Sequence, residues 1–247
     1  MIQSELRGAV ALVAINRPER RNALGSQLMR QLGDALTGAE RNDRVKAIVL
    51  AGAPPAFCAG SGLKELAGLS IADMCRHEAE TARFARAIGY RAKPVIAAVE
   101  GYALGGGFIL AASCDIVVSS STARWHLPEA PNGWLPPWGL TALIARVGAV
   151  RARRLTWGTS PIDGVDAVRI GLVDDVVEPG TALDHAIGVA NGLAVVPLKA
   201  IASTKRFFEP FIMAGAERLD EVASREFAAN CESPSSVKTF ERFKVKA

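Results

Sequence analysis

Apolar positions along the chain alternate between two spacings. Residues 9–17 (AVALVAINR) are almost continuously apolar and rich in β-branched side chains, and Pro18 closes the run, which predicts a strand. Leu28, Leu32 and Leu36 then recur every four residues, on one face of a helix for which Ser26 is the expected cap. A second apolar strand is predicted over 46–52, followed by a loop over 53–62 rich in proline and glycine. A long helix is expected over 71–90, a strand over 94–101, a helix from about 106 to 113 and a strand over 115–120. Beyond residue 138 the pattern turns helical, apart from a short strand near 172–177, and residues 181–246 read as helices that carry more charge. Apolar strands alternating with helices imply crossover connections and a sheet covered on both faces. No Ser/Gly-rich linker interrupts the chain. The expected organisation is therefore an α/β core over 1–180 and a C-terminal helical region over 181–247, which closes the site or builds an oligomer and is not an independent domain.

Composition narrows the class. The chain is 49% hydrophobic with 6% aromatic residues, and its abundant alanine suits closely packed helices. Its net charge is +4, but basic and acidic residues are intermixed, as in RPERRNAL and ERNDRVK, so no nucleic-acid partner is expected. Cys58, Cys75, Cys114 and Cys231 form no CxxC pair and there are three histidines, so no metal site is expected. No apolar run reaches the roughly 18 residues of a membrane span, and the N-terminal stretch lacks the charged and apolar regions of a secretion signal. The expectation is a cytoplasmic protein with no membrane partner.

The stretch GYALGGGFILAASCDIVV, residues 101–118, carries three consecutive glycines between a strand and a helix. Glycine weakens either element by roughly 0.5–1 kcal/mol relative to alanine. Three in a row imply either very close packing or a ligand brought against the backbone N–H groups. The dinucleotide fingerprint GxGxxG, the phosphate loop ending GK[ST] and the nucleophile elbow GxSxG are all absent. A helix starting at these glycines would still present unpaired N–H groups and a partial positive charge. One more N–H from the loop AFCAGSGLKE would complete an oxyanion hole.

RPERRNAL, AFCAGSGLKEL, KPVIAAVEGYALGGGFILAASCDIVV, LPEAPNGWLPPWG and AVRIGLVDDVV occur in the order and spacing of the crotonase (enoyl-CoA hydratase/isomerase) superfamily, which the chain resembles from about residue 9 to 178. The resemblance implies an α/β, ClpP/crotonase-like spiral of ββα units, a homotrimer or dimer of trimers, and an acyl-CoA thioester as substrate. Coenzyme A would enter as part of that substrate, with no separate cofactor. The implied oxyanion donors are the N–H groups of Ser61 and Gly106. Coenzyme A would run along Ala59, Ser61, Gly62, Leu63, Lys64 and Gly106, with Lys64, Arg20 and Arg21 as candidate phosphate partners.

The chain also departs from the family pattern. Hydratases of the family place two glutamates around one water; here one is present as Glu129 and the other position is Ile109. Ser61 stands where a small alanine is common, and Gly62 replaces the usual aspartate. LPPWGL replaces a glycine-rich turn, so Pro137 has no N–H to anchor Glu129, while Trp134 and Trp138 make the surroundings bulkier and drier. A single carboxylate in a dry pocket implies proton abstraction and return, as in an enoyl-CoA isomerase. The alternatives are a hydratase in which His126 or His77 assists Glu129, a decarboxylase or C–C hydrolase, and a non-catalytic acyl-CoA-binding scaffold.

Overall fold

The computed structural model describes residues 1–245. The chain opens with strands β1 (Ile2–Arg7) and β2 (Val10–Ile15), helix α1 (Ser26–Arg41), strand β3 (Ala47–Gly52) and helices α2 (Leu63–Leu66) and α3 (Ile71–Gly89). Strands β4 (Val95–Val99) and β5 (Tyr102–Leu104) follow, then α4 (Gly106–Ala112), β6 (Ile116–Ser120), β7 (Arg124–His126) and α5 (Glu129–Asn132). Helices α6 (Leu140–Val147), α7 (Ala149–Thr156) and α8 (Gly164–Arg169) lead to strand β8 (Asp175–Val177). Four helices end the described chain: α9 (Ala182–Ala194), α10 (Leu198–Met213), α11 (Ala216–Cys231) and α12 (Pro234–Val245).

The main sheet has the order β1-β2-β3-β4-β6-β8, with every pairing parallel except β1 with β2. β5 and β7 form a small parallel sheet of their own. β2, β3 and β4 are apolar, and β6 is apolar up to Ser119, because both of their faces are covered. One face packs on α1, α3, α4 and α6 through residues such as Leu28, Leu32, Ala85, Phe108 and Leu143. The other receives the alanine stripe Ala182, Ala186 and Ala190 of α9, against Val10, Val49, Ile96 and Val118. The first helix of the C-terminal region is thus a layer of the main sandwich.

A strand is added to the sequence reading and a helix cap moves. β1, whose polar sequence IQSELR carries no strand signal, pairs through its backbone at the sheet edge and turns into β2 at Gly8, which adopts φ +62°. Ser26 is the first residue of α1 rather than its cap; Gly25 holds the cap position, and the Ser26 hydroxyl instead lies 3.1 Å from Nδ1 of His77. Among the described residues no single helix is long and apolar enough to cross a membrane.

Candidate active site

Three loops converge at the start of α4. The Leu24 N–H donates to the Gly60 carbonyl at 2.8 Å, the Leu104 N–H to the Cys58 carbonyl at 3.0 Å and the Gly105 N–H to the His126 carbonyl at 2.8 Å. Asn22, buried and left-handed at φ 57°, fixes the approach by donating from Nδ2 to the carbonyls of Ala53 and Ala56, at 2.8 and 2.6 Å. This stitching leaves no room for side chains at its centre. A Cβ on Gly107 would lie 2.1 Å from the Cys58 carbonyl oxygen, and one on Gly60 would lie 2.8 Å from the Gly106 nitrogen. Gly106 differs, because its nearest neighbour would be the Trp138 ring at 3.1 Å, with the Ser61 nitrogen at 3.6 Å. Gly105 adopts φ +51° and faces Oε1 of Glu129. Neither the Ser61 nor the Gly106 N–H donates to a backbone acceptor among the described residues.

Both N–H groups border a cavity of about 60 Å³. At roughly 10–15 Å³ per water, this accommodates a few waters or a short acyl group. Of the residues expected to bind substrate, the structure brings Ala59, Ser61, Leu63, Gly106 and Glu129 to this cavity, whereas Gly62 and the exposed Lys64 lie outside its lining. Trp134, Phe227 and Phe240 form an aromatic wall: the Trp134 ring stacks on Phe240 at 4.7 Å and meets Phe227 edge-on at 6.3 Å. Helices α11 and α12 therefore build one side of the site.

Glu129 starts α5, and its Oε2 is buried with no hydrogen-bond partner. Pro137, which lines the same cavity, has no N–H to offer it. Burial pushes the Glu129 carboxyl up to about 8; its own N–H pulls it partly back and the charge of Glu78 pushes it further.

Glu78 corrects the expectation of a single carboxylate. It projects from α3 into the cavity, only 3% exposed, and its Oε2 accepts a hydrogen bond from the Trp138 indole N–H at 2.7 Å. Burial raises its proton affinity as well, opposed by the Trp138 donor, the charge of neighbouring His77 and a hydrogen bond from the Ser61 side chain. The run RHEAETARFAR reads as a solvated charged face, which hides this residue. One signal could have found it: Met74, Glu78, Ala82, Ala85 and Ile88 share the buried stripe of α3, so Glu78 occupies an apolar position of the helical repeat.

The Trp138 turn is braced from outside the cavity. Asp220 of α11 accepts the Gly139 N–H at 2.8 Å and forms an ion pair with Arg86 of α3. Ile109 lies packed beneath Gly139, filling the position from which the second glutamate would project. The histidines weighed as helpers are engaged elsewhere. His126 Nε2 lies 2.9 Å from the Gly158 carbonyl, which it can only donate to, and His77 pairs with Ser26; neither lines the cavity.

Residues 5–244 match the family described as enoyl-CoA hydratase/isomerase. A short-chain-enoyl-CoA hydratase of Clostridium acetobutylicum is 38% identical over 76% of this chain and 72% of its own length. The 2,3-dehydroadipyl-CoA hydratase of Escherichia coli is 37% identical over 75% of this chain and 72% of its own. Among solved structures, an enoyl-CoA hydratase/isomerase from Xanthobacter autotrophicus Py2 superposes with a TM-score of 0.90 at 26% identity, covering 99% of this chain and 94% of that one.

Proposed function

Because the chain belongs to the enoyl-CoA hydratase/isomerase family, we propose that it holds a short enoyl-CoA thioester with its carbonyl oxygen on the Ser61 and Gly106 N–H groups and moves a proton at the α carbon with Glu129. In the isomerising direction, Glu129 as carboxylate takes a proton from C2 of a 3-enoyl thioester. The electron pair passes to the carbonyl oxygen, giving an enolate held by the two N–H groups. Glu129 then returns the proton at C4, leaving the double bond between C2 and C3. This transfer needs no separate cofactor. The observation that carries the reading is Glu129 itself, buried beside Gly105 with Oε2 bare. A base whose proton affinity lies close to neutrality is suited to taking and returning a proton.

Water addition is the second reading, and Glu78 favours it, because hydration needs two acid–base groups and the cavity holds two carboxylates. Supplying 3-enoyl-CoA and trans-2-enoyl-CoA separately, at short and long chain lengths, separates the readings. Isomerisation of the short 3-enoyl thioester is expected. Failure to bind or convert any CoA thioester would overturn the assignment.

A further inference from the structure

We propose that Glu78 is a second catalytic carboxylate of this site, the base for water addition to a 2-enoyl thioester. The proposal rests on the thioester reading above and concerns the other end of the reacting double bond. As a water oxygen bonds to C3, its proton passes to the Glu78 carboxylate. The C2–C3 π pair shifts to the thioester oxygen as an enolate on the Ser61 and Gly106 N–H groups. The enolate then collapses and takes the Glu129 proton at C2. Water has been added, Glu78 holds one proton and Glu129 has lost one; transfer between them through a second water restores the start.

Two departures from the family pattern meet at this one side chain, and a third leaves it the second carboxylate of the cavity. Trp138, which replaces a small turn residue, donates to Glu78 Oε2. Ser61, in place of alanine, adds a hydroxyl that favours the ionised carboxylate. Ile109 leaves the family's usual second carboxylate position apolar and packed under Gly139. The carboxylate lost from α4 is thus replaced by one from α3, with two donors built to hold it.

The donors also divide the labour. Indole N–H groups only donate, so Trp138 favours an ionised Glu78. Oε2 of Glu129 has no donor at all, which favours its neutral acid form. Two like charges in one small cavity are costly, so a single proton is held unequally between them, which is the arrangement of one base and one acid. The other titratable groups near Glu78 are His77 on its own helix and Cys231 on α11; the burial of Cys231 pushes its thiol up to about 12, which keeps it protonated and unable to act as the base.

A purely structural role for Glu78, holding Trp138 and Ser61 in place, is separable from this one. In Glu78→Gln the amide oxygen still accepts the Trp138 N–H and the amide NH2 can donate to the Ser61 hydroxyl, so a positioning role survives the change and a base role does not. Hydration of a short trans-2-enoyl-CoA should fall at least about 100-fold, the lower range for a positioned base. Isomerisation of the 3-enoyl substrate should fall by a much smaller factor, so the ratio of the two rates changes. Glu78→Asp, which keeps a carboxylate, should recover part of the hydration. In the wild type, hydration should decline above about pH 8, where Glu129 loses its acid form, while isomerisation rises through the same range. Circular dichroism and thermal melting of both variants confirm that the comparison is between folded proteins. Hydration by Glu78→Gln within a few-fold of wild type would overturn the proposal. So would a parallel fall of both reactions, or a wild type that isomerises without hydrating. A wild type that does neither would overturn the underlying thioester reading as well.

Discussion

Gly105, Gly106 and Gly107 are adjacent but answer to three different constraints, and substitution should separate them. A methyl group on Gly107 meets the Cys58 carbonyl at 2.1 Å, backbone against backbone, so Gly107→Ala should destabilise the fold by at least the roughly 1–3 kcal/mol typical of overpacking. Gly106→Ala meets side chains at its closest, the Trp138 ring at 3.1 Å and Leu24 at 3.4 Å, so its melting temperature should stay near wild type while kcat/KM falls, as the cavity narrows beside the N–H groups proposed to hold the thioester oxygen. Differential scanning calorimetry together with turnover tests both. Glu129 carries an opposite trade. Between its ordinary value of 4.5 and its folded value of about 8, the unfolded chain has released a proton that the folded chain keeps. Glu129 therefore lowers stability progressively as pH rises across that window, and the cost is constant above it. Glu129→Gln should abolish most activity, yet its melting temperature relative to wild type should climb from about pH 4.5 to about pH 8. A difference independent of pH would contradict the assignment. Glu129 was legible in the sequence because it stands inside a recognisable motif. Glu78 was not, because its neighbours Arg76, His77 and Glu80 resemble a solvated surface and only its place on the stripe of α3 marks it.

At the scale of elements, the central strands were legible because burial on both faces leaves them almost wholly apolar, and β1 was not, because an edge strand is held mainly by backbone pairing. The division of labour among the last helices was equally hidden. They read together as one helical region, yet α9 seals the sheet while α11 and α12 close the cavity with Phe227 and Phe240. Trp134, stacked on Phe240, is the end stop of the acyl site in this reading. Trp134→Leu should extend the cavity and raise the kcat/KM ratio of longer to shorter acyl chains by about 10-fold or more, the scale on which hydrophobic pockets discriminate by size. An unchanged ratio across a chain-length series would place the acyl group elsewhere.

For the whole molecule, the conspicuous surface is on α10, where Phe207, Phe208 and Phe211 are 67%, 51% and 75% exposed and touch one another. Clustered aromatics in water mark an association surface, and the homotrimer or dimer of trimers implied by the resemblance supplies an occupant. Light scattering should report a multiple of the 26.1 kDa chain, and Phe211→Glu should shift it toward the monomer. A monomeric wild type would refute this. The brace from Arg86 through Asp220 to Gly139 has a consequence in time as well as in space. Synthesis proceeds from the N-terminus, so a nascent chain that has emerged through α9 already owns both layers of its sandwich, but α11 has not yet delivered Asp220. Until it does, the Trp138 turn lacks its outer anchor and the cavity lacks the wall that Phe227 and Phe240 build. The sheet can thus mature on the ribosome, whereas the cavity is completed late, when the final helices arrive.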